Sequence, residues 1–370
     1  MGKNTGISWT DHTFNGWEGC TKVSPGCLHC YAATRNARFG GGTATNWGEG
    51  APRRRTSLHN WNDPVRWNRA SAEGQFGEVR RAGKLIARGD IRDLRKKGLA
   101  QTGDIFEKAR PRVFCSSLAD WLDDEVSAEW LADLLFLVYS CPALDWQLLT
   151  KRPGLFRPRI ESVWATLRAT EENWAFRGWI ARWFDGVPPE NVWVGTTVED
   201  QARAKERIPL LVEIPARVRF LSCEPLIGPV DLRLLEPLFG SKLPGGFAHP
   251  KTSIHWIICG GESGPEARPM HPKWARSLRD QCAAAGIPFL FKQWGEWAPV
   301  SNPQPRDFRN LCMFEGADPK PAHLETEKRC DDWIDNRSES DLWMKDVGKI
   351  VAGNRLDGRE WHEFPKVSVQ

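Results

Sequence analysis

No stretch of this chain approaches the ~20 consecutive apolar residues that a membrane-spanning helix needs, so no membrane partner is expected. The opening MGKNTGISWTDHTF lacks the apolar core of a secretory signal, and a cytoplasmic protein is the expectation. Disulfides are not expected either. A chain of 370 residues, 41% of them hydrophobic, can build a core without them, and a reducing cytoplasm disfavours them. Seven of the ten cysteines (Cys115, Cys141, Cys223, Cys259, Cys282, Cys312, Cys330) are scattered, mostly in apolar surroundings. They read as buried small hydrophobes.

The other three form CTKVSPGCLHC, with six residues between Cys20 and Cys27 and two between Cys27 and Cys30. Three thiolates close together suit a soft metal centre. A structural zinc site normally wants four protein ligands, and no fourth cysteine lies near; the next is Cys115. Three ligands on a four-iron cube leave one iron open to a chelating small molecule. Pro25 and Gly26 let the loop turn so that backbone amides can approach the sulfurs.

A βα rhythm fills the middle of the chain. Apolar, β-rich segments occur at 112–117, 146–150, 192–197, 218–223, 255–261 and 287–291, with an earlier one at 6–10. Helical patterns occupy 127–141, 198–214 and 271–286, the last with Pro272 near its start and Gly286 just past its end. Strands alternating with helices imply a parallel sheet. Seven strands imply an α/β fold, an open or partial (β/α) barrel over residues 1–300, with a doubly wound sheet as the alternative. Residues 36–110 and 155–190 break the rhythm and read as insertions, the second helical; 301–370 reads as a C-terminal appendage. The net charge is +4, but residues 76–112 hold eleven Lys/Arg against five Asp/Glu. Such a segment is either a phosphate-binding track or a solvated helical face.

In α/β folds ligands sit beyond the carboxyl ends of the strands. Each candidate strand here delivers polar groups at that place: Ser116 and Asp120, then Lys151 and Arg152, Thr196 and Glu199, Glu224, Glu262, and Lys292. The regularity implies a shared cavity. Gly260 and Gly261 permit close backbone approach to a ligand. Trp9, Trp17, Trp294 and Trp297 flank the expected mouth and are candidates for stacking on a base.

The run ISWTDHTFNGWEGCTKVSPGCLHCYA, followed in order by CSSLADWLDDEV, LLTKRPG, VWVGTTVEDQ, RFLSCEPLIGPVDL, IICGGESGPEARPMHP and FKQWGEW, resembles a phage-encoded three-cysteine-motif family. Its members look like divergent radical SAM enzymes. The first cysteine gap is longer than the usual three residues, and CSSLAD stands where a Gly-Gly-Glu signal is usual. The resemblance implies a partial barrel of the radical SAM type, a 4Fe–4S cluster on Cys20, Cys27 and Cys30, and S-adenosylmethionine as cofactor. It makes Tyr31, Ser116, Asp120, Thr196, Glu199, Gly260, Gly261 and Glu262 cofactor-binding candidates. Lys151, Arg152, Glu224 and Lys292 become candidates for catalysis or substrate binding. An electron donor such as flavodoxin or ferredoxin follows as partner. A nucleic-acid base or nucleotide is the lead substrate, with DNA base modification and photolesion repair both compatible. The alternative is a non-catalytic protein holding zinc on the three cysteines plus one further ligand and binding nucleic acid. Replacing Cys20, Cys27 or Cys30 by Ala should abolish iron binding, whereas Cys141→Ala or Cys282→Ala should leave it intact. Metal analysis of the anaerobically purified variants decides, and equal iron in wild type and Cys27→Ala contradicts the motif.

Overall fold

The computed structural model describes residues 5–167, 173–235, 254–301, 311–314, 321–323 and 342–366. Its centre is a curled, seven-stranded parallel sheet shaped as a half-barrel. Numbered within that sheet, the strands are β1 (His12–Phe14), β2 (Arg112–Cys115), β3 (Asp145–Thr150), β4 (Val192–Thr197), β5 (Val218–Cys223), β6 (Trp256–Gly260) and β7 (Phe289–Gln293). They pair strictly in sequence order. Six of the seven expected strands are found. The first lies later than the 6–10 expected: its ladder opens only where Asp11 N–H donates to the Arg112 carbonyl, at 3.0 Å. Ile7 and Trp9 owe their apolar character to packing inside the barrel, not to a strand.

Period-two alternation divides the strand residues between two cores. The outer layer, which includes Val113, Leu148, Val194, Leu221 and Ile257, packs under the crossover helices. The inner layer joins Trp9, Phe114, Trp193, Phe220, Trp256 and Leu290. Gly195 gives the Phe220 ring its place, because a Cβ there would overlap it. These rings fill the lower barrel, and further along the same inward rows the side chains become polar: Ser116, Lys151, Thr197, Ser222 and Lys292.

The expected helices form at Ala128–Ser140, Gln201–Val212 and Pro272–Ala285. The Ser127 hydroxyl caps the first by accepting from Trp130 N–H. Gly286 ends the last in the left-handed region, φ 67°. The insertion at 155–190 is helical, with Phe156–Thr166 and Trp174–Phe184. That at 36–110 is not purely helical: it holds an antiparallel sheet of Phe76–Arg81 between Lys84–Asp90 and Ile105–Lys108. The C-terminal stretch contributes Leu311–Phe314, Pro321–His323 and Leu342–Asp346 to a second antiparallel sheet with Trp297–Val300. It also closes the barrel base. The Glu363 carbonyl accepts from the Trp256 indole, and Phe364 packs on that ring. Cys330 lies outside the described residues.

Asp11 ties the first insertion to the barrel, contacting Arg88 at 3.1 Å and Arg112 at 3.2 Å. Burial alone would raise its carboxyl, but the two guanidiniums outweigh it and hold Asp11 at about 2 against an ordinary 3.8. Folding therefore favours the ionised form. The resulting contribution, about 2 kcal/mol, is fully present above pH ~4 and is lost as pH falls towards 2. Asp11→Asn should lower the denaturant midpoint at pH 7 and lose less stability than wild type between pH 4 and 2; parallel pH profiles contradict the assignment.

Candidate active site

Where the inward rows turn polar, a cavity of about 470 Å³ opens at the carboxyl ends of the strands. Cys20, Cys27 and Cys30 all line it, and all three are free thiols. One turn of 3-10 helix at Pro25–Cys27 bends their loop, and Cys30 stands at the N-terminus of the helix Tyr31–Phe39. Among the described residues no group of three or more His, Cys, Asp or Glu is already arranged to hold a metal ion. The three sulfurs thus share a cavity without forming a closed ligand set.

Side chains from separate strand ends hold this loop. After β3, Arg152 donates to the Thr21 carbonyl (3.0 Å) and to Cys20 Sγ (3.4 Å), and it pairs with Asp120 at 3.2 Å. After β4, Glu199 accepts from Gly26 N–H at 3.3 Å and pairs with Arg207 at 3.0 Å, both side chains being almost wholly buried. A Cβ on Gly26 would crowd the Glu199 carboxyl at 3.1 Å. After β6, Glu262 grips Arg268 at 2.6 Å, and Arg268 donates to the Pro25 carbonyl at 3.0 Å. Upstream, Arg53 reaches the Thr21 hydroxyl at 2.8 Å while paired with buried Asp123 at 2.7 Å. The first insertion also reaches the motif: Gly48 N–H donates to the Cys20 carbonyl at 3.0 Å, and Trp47 lines the cavity.

Most of the residues expected from sequence converge here. Tyr31, Ser116, Asp120, Lys151, Arg152 and Glu224 line the cavity, as do Gly261, Glu262 and Lys292. Three do not. Thr196 is buried on the other face of β4, donating to the Thr150 carbonyl at 2.9 Å; its neighbour Thr197 is the inward residue. Glu199 is committed to Gly26 and Arg207. Gly260 makes room for Glu224, whose carboxyl carbon would stand 3.3 Å from a Cβ there, and Gly261 yields to the Trp294 backbone. Of the four tryptophans expected at the mouth, only Trp9 lines the cavity; Trp17, Trp294 and Trp297 pack in the outer core. Tyr31 donates to the Ser117 carbonyl at 2.5 Å. Arg268 and Lys349 escaped the sequence reading: the first lies six residues beyond Glu262, and the second reaches the cavity from the C-terminal stretch.

The cavity carries both satisfied and unsatisfied polar groups. Glu224 Oε1 takes Lys292 Nζ at 2.6 Å and Gln293 Nε2 at 3.1 Å. Thr197 Oγ1 and Trp9 Nε1, on residues that line the cavity, are buried without a hydrogen-bond partner among the described residues. Burial, with the Asp120 carboxylate, pushes the Cys20 thiol up to about 11 against the pull of Arg152. By contrast, much of the basic charge at 76–112 is spent internally. Arg80, Arg81, Arg88, Arg92, Arg110 and Arg112, six of the eleven cations, form ion pairs.

A family model described as a protein of unknown function (DUF5131) matches residues 4–365. No curated protein and no solved structure matches the chain. The loop struts yield a direct test. Glu199→Ala leaves Arg207 buried without its partner, an uncompensated charge that costs about 3–5 kcal/mol. Urea unfolding should show a matching drop in midpoint, and an unchanged midpoint contradicts the strut.

Proposed function

The chain belongs to the DUF5131 family, whose description assigns no activity, and we propose from the site itself that it is a radical S-adenosylmethionine enzyme. One observation carries this reading: the three thiol-bearing residues meet in one cavity at the strand ends, together with Glu224 and Lys292. Thiolates are soft donors of the kind that hold iron–sulfur clusters. Among the described residues no fourth cysteine lines the cavity, so three would leave one iron of a cube for a small chelate. The cavity also falls within the ~300–1,000 Å³ of small-molecule sites. Loading would engage Cys20, Cys27 and Cys30 as thiolates and release the thiol protons.

Loaded with a 4Fe–4S cluster and S-adenosylmethionine, the site would supply reductive cleavage of the sulfonium carbon–sulfur bond, giving methionine and a 5′-deoxyadenosyl radical. The protein's part is positioning and exclusion of water. Glu224 suits the cofactor ammonium or ribose hydroxyls, and Lys292 suits its carboxylate. Among the described residues Glu224 Oε2 carries no hydrogen bond, which leaves it for a ligand. Thr197 and Trp9 line the cavity from the inner rows. Below them Phe114, Phe220 and Trp256 seal the barrel. An external one-electron donor of the flavodoxin or ferredoxin type completes the requirement.

A nucleotide or nucleic-acid base is the substrate class we favour. Lys22, Lys151 and Lys349 line the cavity from three separate segments. Among the described residues none of the three has a carboxylate partner, and only Lys22 makes a side-chain hydrogen bond, to the Leu28 carbonyl. These cations suit a phosphate better than residues 76–112, whose arginines are largely paired. Anaerobic incubation with S-adenosylmethionine and dithionite should release 5′-deoxyadenosine, and Cys30→Ala should release none. A reconstituted protein that forms no 5′-deoxyadenosine contradicts the proposal.

A further inference from the structure

We propose that Arg152 is a positioning residue that sets how readily the cysteine-bound centre accepts an electron, with Asp120 acting in the opposite sense. The inference rests on the cluster reading above. Among the described residues Arg152 is the only cation that makes a hydrogen bond to one of the three thiols, donating to Cys20 Sγ at 3.4 Å. Among the described residues the hydrogen-bond partner of Cys27 Sγ is the Ser24 hydroxyl, at 3.7 Å.

The guanidinium is fixed rather than adaptable. Its side chain is 8% exposed. One nitrogen faces the sulfur, the other the Thr21 carbonyl at 3.0 Å, and Arg152 N–H donates to the Thr150 hydroxyl at 2.9 Å. Asp120 sits behind it at 3.2 Å, itself held by the Thr150 hydroxyl (2.7 Å) and by the N–H groups of Lys151 (2.8 Å) and Leu122 (3.0 Å). A cation and an anion thus stand immobile beside one ligand sulfur. A sulfur bound to iron still accepts hydrogen bonds, and such bonds, with nearby charge, tune cluster potentials. One-electron reduction adds one negative charge and moves no proton. A fixed positive charge stabilises the reduced form more than the oxidised form, and a fixed negative charge does the reverse. Burial keeps both effects from being screened.

The opposed signs make the test decisive. The full-length protein is reconstituted anaerobically, iron per chain is measured, and the midpoint is read by titration followed by electron paramagnetic resonance. Arg152→Gln removes the cation and leaves Asp120 unopposed, so one-electron reduction should weaken about tenfold, a fall of ~59 mV. Asp120→Asn should raise the midpoint, and Arg152→Lys, which keeps the charge but not the fork, should fall between wild type and Arg152→Gln. A merely structural lesion would move the Arg152→Gln and Asp120→Asn variants in the same direction. Full iron content with equal midpoints, or shifts of one sign in both, overturns the inference alone. If Arg152→Gln loads no iron, Asp120→Asn decides, and an unshifted midpoint there overturns it. Wild type without iron overturns the cluster reading and this inference with it.

Discussion

The loop carrying Cys20, Cys27 and Cys30 has an isolated β-bridge from Cys20 to Trp47 and, beyond it, one turn of 3-10 helix, so past Cys20 its place over the barrel leans on side chains that reach it from elsewhere. Arg152, Glu199 and Arg268 approach from beyond three different strands and bind the Thr21 carbonyl, the Gly26 amide and the Pro25 carbonyl. Each is backed by an opposite charge: Asp120, Arg207 and Glu262. Truncating one member strands the other in a poorly solvated place, which costs more than the pair itself contributes. The arrangement therefore fixes loop position more than it adds stability. A ligand set that must close on a metal gains from such anchoring, because less freedom remains to be lost on loading.

The cavity beneath the loop follows from the inner rows of the sheet. Large rings occupy the lower positions, and the same rows end in Ser116, Lys151, Thr197, Ser222 and Lys292. Filling the bottom and not the top leaves a pocket with a dry floor and a polar wall. The C-terminal stretch takes part at both ends. Phe364 packs on Trp256 at the base, and Lys349 reaches the cavity.

Much of this was legible in the sequence, and the limits have physical causes. The strand segments were found because apolar, β-rich runs are unambiguous when bounded by turns. The strand ends then pointed to Ser116, Lys151, Arg152, Glu224 and Lys292, all of which meet in the cavity. Inward and outward residues alternate along β4, so Thr197 and not Thr196 lies on the cavity side. Counting by two from Trp193 would have found it. Glu199 reads as a cofactor-binding residue from sequence because its partners lie far along the chain, Gly26 on a separate loop and Arg207 eight residues on, about two helical turns away. Gly260 and Gly261 do permit close approach, but to Glu224 and the Trp294 backbone. The three-stranded sheet at 76–108 stayed hidden because its strands are charged and partly exposed, with no apolar alternation to announce them.

The proposed site holds a four-iron cluster by three thiols in one cavity and leaves one iron to S-adenosylmethionine. Electron paramagnetic resonance of the dithionite-reduced, anaerobically purified protein, recorded with and without S-adenosylmethionine, tests it most directly. A reduced 4Fe–4S signal, about four irons per chain, and a change in that signal when S-adenosylmethionine is added are expected. A colourless protein with stoichiometric zinc and no signal, or a cluster signal indifferent to S-adenosylmethionine, would contradict it.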